Sequence, residues 1–525
     1  MDSTSITSSE WLKIACAAYA QTDGTAPAMI AALRAHWATE PSGLAAATAF
    51  AEGVAELARY ATQLPGETAD AVDVEAEAVV AARRVVRPLL QAKLQARLDA
   101  LEARAVGATV CPGCGQTAES QGRRSRRWSS VLGPLSLQRR YAYCEQCGQG
   151  IAPAQVALGL PAGDYTPRLE EVCTMMATTV PHAMATGLVA KLCGIDISVK
   201  AMEDMTERRA AQVEREAARE AARCAPFDAT GLPVPSQARP ADAIAAAAAP
   251  KVAYLEVDGV VPITREELTG KELTPTERRR QRRAKKAKAH GGKGCRYRII
   301  GREVKNAVLY DGKDCATESP GRGCILRKTY VSYLGDWGTF AGRVWVEMLR
   351  QRFDQAKLLV ILSDGADWVR SLARWLPLEV FLILDLFHVK HRLWEVANSL
   401  YGEKTPKARA WAETQCGRIE DGGAKAVISA LRFLRPGRRE TRKLVAELAQ
   451  FLDNNLDRMD YPTYRARGLR VSSGTVESAN YHVTGTRLKL QGMRWSAEGA
   501  GHMAALRADL FNGRWEQRTK ELLAA

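Results

Sequence analysis

The stretch Tyr254-Leu255-Glu256-Val257-Asp258-Gly259-Val260 limits what this chain can become more than any other. An apolar, β-branched run that carries one carboxylate to its end and then meets glycine reads as a buried strand delivering Asp258 to the rim of a sheet. Such an acid needs partners, and two later segments offer them. Leu359-Val360-Ile361-Leu362-Ser363-Asp364-Gly365 follows the same plan, and in Ser472-Ser473-Gly474-Thr475-Val476-Glu477-Ser478 a third acid follows a helix-start signal. Three carboxylates converging from rigid elements are what two-metal phosphodiester chemistry requires. Mg2+, or Mn2+ in its place, suits such a set because a few carboxylates, water and substrate phosphate satisfy it.

The segments around these acids alternate. Strands are expected over 252–260, 307–310, 328–333, 357–363 and 379–384, with helices over 340–353, 368–375 and 386–400. The order βββαβαβα is that of a ribonuclease-H-like domain, a mixed sheet with helices on both faces. In such a sheet the first strand is central and the fourth lies beside it, so Asp258 and Asp364 stand side by side and Glu477 approaches from a third direction. The catalytic domain is placed at 252–525, with a basic helical insertion at about 402–470. A second insertion, an arm at about 271–295, holds Arg278, Arg279, Arg280, Arg282, Arg283, Lys285, Lys286 and Lys288. So dense a positive run does not fold into a core, and beside a phosphoryl-transfer site it is expected to neutralise the DNA backbone. Arg487, Lys489 and Arg494 add candidate phosphate contacts after the third acid, and Trp495 reads as core packing rather than a base-stacking platform.

Upstream, residues 1–105 read as amphipathic helices, with Pro88 expected to kink or break the last one. No chemistry is assigned to them. Residues 106–157 hold Cys111-Pro-Gly-Cys114 and Cys144-Glu-Gln-Cys147, two CxxC knuckles whose four thiolates complete a closed, tetrahedral structural Zn2+ site. The basic and aromatic segment between them alternates like a β-hairpin. Within 158–224 the chain reads as a helix-turn-helix, Met184 to Cys193, a turn at Gly194, and a second helix opened by Ser198. The charged continuation from Glu203 to Arg223 reads as a solvated helix or a dimer contact. Residues 225–251, rich in proline and alanine, form a linker. The fold class is thus multidomain α+β: a helical N-terminal region, a zinc ribbon, a helix-turn-helix-like segment, and a ribonuclease-H-like α/β domain with a helical insertion.

A formal net charge of +15 favours a polyanionic partner, nucleic acid before anionic lipid. With no cationic leader before an apolar core and no long apolar run, a cytoplasmic location without a membrane span is expected. Twelve cysteines, only four of them regularly spaced, fit a reducing compartment.

The set Val257-Asp258-Gly259, Ser363-Asp364-Gly365, Asp385-Leu-Phe-His388 and Gly474-Thr475-Val476-Glu477-Ser478-Ala479-Asn480, with the amino-terminal CxxC pair, resembles bacterial insertion-sequence transposases of the DDE class. It is most similar to the ISKra group, on the Mutator-like side of that class. The resemblance spans roughly residues 105 to 515. It implies Mg2+-dependent cutting at element ends and strand transfer by the freed 3′-hydroxyl, by a dimer or higher oligomer, and it makes the polyanionic partner double-stranded DNA. By position it makes Asp258, Asp364 and Glu477 the catalytic triad, and Asp385 and His388 the C/D-x-x-H motif. Asp385 is then either a fourth metal-proximal acid or the group that orients His388. Two other readings compete: a DNA-binding regulator that no longer catalyses, and a nuclease of the same fold that cuts without joining.

Overall fold

The structure is a computed structural model that describes residues 53, 56, 60, 70–105, 107–228, 230–234, 238–243, 249–267, 274–279, 282–283, 297–319 and 322–524. The chain divides into two compact units, Met1–Thr206 with Thr519–Ala525, and Glu207–Arg518.

In the first unit helix α1 (Ala71–Arg104) is followed by a three-stranded sheet, β1 (Glu119–Ser130), β2 (Gly133–Cys144) and β3 (Gln149–Ile151), in that order. Asp70 caps α1, accepting from the amides of Val72 and Asp73. The expected break at Pro88 does not occur, and α1 runs through it. An interior proline costs a helix about 3 kcal/mol. What holds this one together lies on both the polar and apolar sides of its C-terminal half. Leu98 is fully buried with Trp128, Leu137 and Leu160. Gln91, Gln95 and Glu102 accept hydrogen bonds from the backbone amides of Ser136, Gln138 and Arg140 at 2.8, 2.8 and 2.6 Å. Alternate amides along β2 are thereby satisfied by a helix instead of a strand.

After the short α2 (Pro153–Ala157) come α3 (Pro167–Thr179), α4 (His182–Cys193) and α5 (Val199–Arg223). Gly194 ends α4 in the left-handed region (φ 64°), and the Ser198 hydroxyl accepts from the amide of Ala201. The helix, turn and second helix read from the sequence are present. The charged continuation, however, is one helix with its start, and one side of its second half is tied down by ion pairs while the other stays exposed. In the second unit Glu214 holds Arg343 (2.8 and 2.5 Å) and Glu220 holds Arg350 (2.7 Å). The segment expected as a linker is also tied down where it is described, through Asp242 to Arg350 and Arg239 to Asp354.

The second unit is built on β4 (Val252–Val260), β7 (Val304–Asp311), β10 (Thr329–Leu334), β11 (Leu358–Ser363) and β12 (Val380–Leu384), between which lie the hairpin strands β5 (Ile263–Glu267), β6 (Tyr297–Gly301), β8 (Cys315–Ser319) and β9 (Arg322–Ile325). The sheet order is β10-β7-β4-β11-β12, antiparallel up to β4 and parallel beyond it. The two small hairpins were not foreseen. Helices α6 (Trp337–Arg350) and α7 (Asp367–Trp375) cover one face, burying Ala253, Leu255, Val257, Leu359 and Ile361 under Phe340, Val344, Trp345 and Leu372. On the other face Tyr254, Val308, Tyr310, Val360 and Leu362 meet α8 (Leu386–Tyr401), α9 (Pro406–Glu420), α10 (Ala424–Phe433), α11 (Arg439–Asn454), α12 (Tyr461–Ala466) and α13 (Gly474–Ala479). Each aliphatic side chain fully buried this way contributes about 1.5–3 kcal/mol, and burial on both faces explains why β4 and β11 read as unbroken apolar runs. The chain closes with α14 (Ala497–Phe511) and α15 (Trp515–Ala524).

Candidate metal centre

Register explains how the acids meet. On β4, side chains alternate between faces, so Tyr254, Glu256 and Asp258 share the face covered by α8 to α13. Parallel pairing of β4 with β11 ends at Val257↔Ser363, so Asp258 and Asp364 each sit one residue past the last paired position. The strand itself runs on to Val260, as its expected bounds of 252–260 have it, because pairing with β7 continues through Gly259↔Lys305 and Val260↔Val304. A β-carbon at Gly259 would press on the Glu303 side chain. Gly365, by contrast, is required by the backbone: its φ is +94° and a β-carbon would collide with Leu384 and Phe451.

Glu477 is brought in by a residue that the sequence reading passed over. Glu256, 0% exposed, accepts from the Tyr310 hydroxyl (2.5 Å) and from the amide of Val476 (2.8 Å). Two residues upstream of Asp258, this acid pins the first turn of α13, and the next residue on that helix is Glu477. Burial raises the Glu256 carboxyl above its usual range, with the Tyr310 and Val476 donors opposing. The signal for it was in view: an acid inside an otherwise apolar strand must be paired.

Asp385 is placed where it can orient His388. It is fully buried and caps α8, one oxygen accepting from the amides of Phe387 (3.1 Å) and Ser473 (2.9 Å), the other from the His388 amide (3.2 Å). That second oxygen also lies 2.6 Å from His388 Nδ1. Asp385 therefore orients His388 and ties the approach to α13 onto α8. Burial would raise its carboxyl, but the His388 ring and Ser473 donors hold it below the usual value. His388 Nε2 then faces Glu477 Oε1 at 3.4 Å.

Donor atoms of Asp258, His388 and Glu477 all lie within 4.8 Å of one another. Asp364 stands beside this cluster without joining it. It raises the Asp258 carboxyl through its charge, which with burial as the leading cause sits at about 6. Asp364 instead faces a cleft lined by Gly365, Arg370, Arg392, Phe451 and Asn455, so the helical insertion borders the site on that side. Asp367 is exposed on the first turn of α7. A further support was missed in the sequence: Asn480 donates to Asp258 and accepts from Asn306 (2.7 Å), whose own oxygen accepts from Ser332 (2.6 Å) and Thr484 (3.0 Å). Asn480 opens a π-helical turn, Asn480–Gly485, a form that often marks functional positions.

In the first unit Cys111, Cys114, Cys144 and Cys147 form a second cluster with donor atoms within 4.8 Å of one another. The Cys114 and Cys144 sulfurs are 3.6 Å apart, against about 3.8 Å across a tetrahedral site with metal–sulfur bonds of about 2.3 Å. The amides of Cys114 and Gly113 draw the Cys111 thiol down to about 7.

The expected DNA contacts divide. Arg278, Arg279, Arg282 and Arg283 are exposed, whereas Arg280, Lys285, Lys286 and Lys288 lie outside the described residues. Lys489 and Arg494 are exposed. Arg487 is not: it is 1% exposed, its guanidinium 4.9 Å from the Trp495 ring centre, so it packs the core instead of facing a phosphate. Trp495 pairs its backbone with Ile263 and Arg265, which fixes it as part of the fold. Among the described residues no helix is long and apolar enough to cross a membrane.

A family described as an uncharacterised protein family, UPF0236, matches residues 329–522. Among similar relatives are two from Caldanaerobacter subterraneus subsp. tengcongensis, the UPF0236 proteins TTE0402 and TTE2489. Each is 24% identical over 219 residues, covering 39% of this chain and 39% or 42% of the relative. A third from the same organism, also 24% identical over 219 residues and covered to 42% of its length, carries one name joining eleven designations from TTE0033 to TTE2212. The chain thus spans about two-fifths of the length of the curated relatives it matches.

Proposed function

We propose that this chain is a DDE-type transposase, a metal-dependent enzyme that cuts DNA at the ends of an insertion sequence and joins the freed 3′-hydroxyl to target DNA. The observation that carries this reading is topological. A β10-β7-β4-β11-β12 sheet with three antiparallel and two parallel strands supports a ribonuclease-H-like domain, and its two central strands and the helix after the insertion bear Asp258, Asp364 and Glu477. The eleven designations under one relative's name add support, since a gene repeated across a genome would be named that way.

The donor set fits a divalent cation, with Asp258 and Glu477 converging, an oriented imidazole beside them, and Asp364 one strand away. A cation bound there supplies Lewis-acid polarisation of a phosphodiester oxygen. The chain's own residues do the rest. Asn480 and Asn306 fix the Asp258 carboxylate, Glu256 fixes the turn that carries Glu477, and Asp385 fixes the His388 ring. Exposed Lys489, Arg494 and the arginines of the 278–283 segment supply sequence-independent phosphate contacts. The four thiolates leave no open position, so Zn2+ there is structural.

The test uses full-length protein, labelled DNA from the flanks of its gene, and Mg2+ or Mn2+. Wild type joins the labelled end to target DNA, and Asp258→Asn abolishes joining while DNA binding persists. Normal joining by that variant overturns the metal-site assignment. Products that are cut but never joined indicate a nuclease on the same fold.

A further inference from the structure

We infer that His388 is itself a metal ligand, so that Asp258, His388 and Glu477 form a mixed nitrogen and oxygen site that takes a transition-metal ion of the Mn2+ class in preference to Mg2+. The inference rests on the reading of this cluster as the catalytic centre and changes its composition: the assembled set contains an imidazole where a purely carboxylate site would have Asp364.

The geometry is that of a ligating histidine. Such a ring commonly gives its other nitrogen to a carboxylate, which fixes the tautomer and the ring plane. Here the fully buried Asp385 lies 2.6 Å from Nδ1, and its remaining acceptor capacity goes to three backbone amides, so it cannot turn away. With the proton on Nδ1, the Nε2 lone pair points to the space shared with Glu477 Oε1, 3.4 Å away, and with an Asp258 oxygen within 4.8 Å. An ion placed in that space would meet the imidazole nitrogen and both carboxylate oxygens at once. Glu477 and Asp258 are not otherwise neutralised by a lysine or arginine: among the described residues neither makes an ion pair with one, and the only basic partner at Glu477 is His388. Asn480 holds the Asp258 carboxylate, and the Glu256 contact with the Val476 amide fixes the helical turn from which Glu477 projects.

Donor identity decides the ion. Mg2+ demands oxygen ligands in near-ideal octahedral geometry and keeps several waters. An imidazole nitrogen contributes little to Mg2+, whereas divalent first-row metals accept mixed nitrogen and oxygen sets, with affinity rising from Mn2+ onward.

The experiment is pulsed EPR on full-length protein carrying one zinc ion per chain and freed of excess zinc, titrated with Mn2+ alone, with competition by Mg2+. Wild type is expected to show a nitrogen coupling to the bound Mn2+ and to prefer Mn2+ over Mg2+ by at least about tenfold. His388→Gln, whose side chain can still hydrogen-bond Asp385, is expected to lose the coupling, to bind Mn2+ at least about tenfold more weakly, and to lose most of the preference. Absence of the coupling in wild type, its persistence in His388→Gln, or no Mn2+ binding at all overturns the inference. If the coupling is present and DNA joining is not, the transposase reading fails and the ligand assignment stands.

Discussion

Replacing Asp385 by asparagine separates orientation from packing. In the native site one carboxylate oxygen serves the amides of Phe387 and Ser473, while the other serves the His388 amide and the His388 ring. An asparagine keeps its carbonyl toward the first pair and turns its NH2 toward the second. The His388 amide loses an acceptor, which costs about 1 kcal/mol of helix capping. The ring nitrogen Nδ1 is forced to accept, so its proton moves to Nε2 and removes the lone pair facing Glu477. Outer-shell changes of this kind lower metal affinity about 10–100-fold, or about 1.4–2.8 kcal/mol. Asp385→Ala is the contrast: it also strands the buried Ser473 amide, adding about 1–3 kcal/mol to the lost cap. The assay pairs Mn2+ titration with urea unfolding. Asp385→Asn should unfold near wild type and bind Mn2+ poorly, whereas Asp385→Ala should lose stability first. An asparagine variant that binds Mn2+ as wild type does would refute the claim that Asp385 sets the His388 tautomer.

Two further outcomes follow from other parts of the molecule. Cys144→Ser should lower bound zinc from one ion per chain to none, measured by metal analysis, and unchanged content would remove the four-thiolate assignment. Glu347, 2% exposed, accepts from Arg514 at 2.7 and 2.6 Å and from Arg350 at 2.9 Å. Burial alone would raise its carboxyl, but the two guanidinium groups hold it down at about 2, against an ordinary 4.5. Its folded value is depressed, so its contribution, about 3 kcal/mol, is present above pH 4.5 and is lost as pH falls from there toward 2. Glu347→Gln should be less stable than wild type at pH 7 and the gap should close at low pH; an equal gap at both would refute the pairing.

Much of the second unit could be read from the chain because its strands are buried on both faces, which writes them as apolar runs, and because Asp258 and Asp364 each follow such a run by one residue. The CxxC spacing was equally plain, since a pair of knuckles states its own geometry. What stayed hidden depends on registration between distant segments. Nothing local says that Glu256 will meet the amide of Val476, or that Asn306 and Asn480 will reach Asp258 together, since each pairing is fixed only when β4, β7 and α13 pack. Arg487 misled for the opposite reason: a cation among cations looks exposed, and only the fold turns it inward against Trp495. Pro88 does not end α1, because the strand that holds the helix begins some forty residues later and no local reading can weigh it.

That partner strand gives α1 a meaning beyond support. The amides of Ser136, Gln138 and Arg140 lie along a strand flank that would otherwise invite another chain to add itself. By occupying them with amide and carboxyl side chains, α1 insulates the four-cysteine hairpin from strand addition. A fragment trimmed to begin at the first cysteine would therefore keep every thiolate yet expose the adhesive margin that this helix covers.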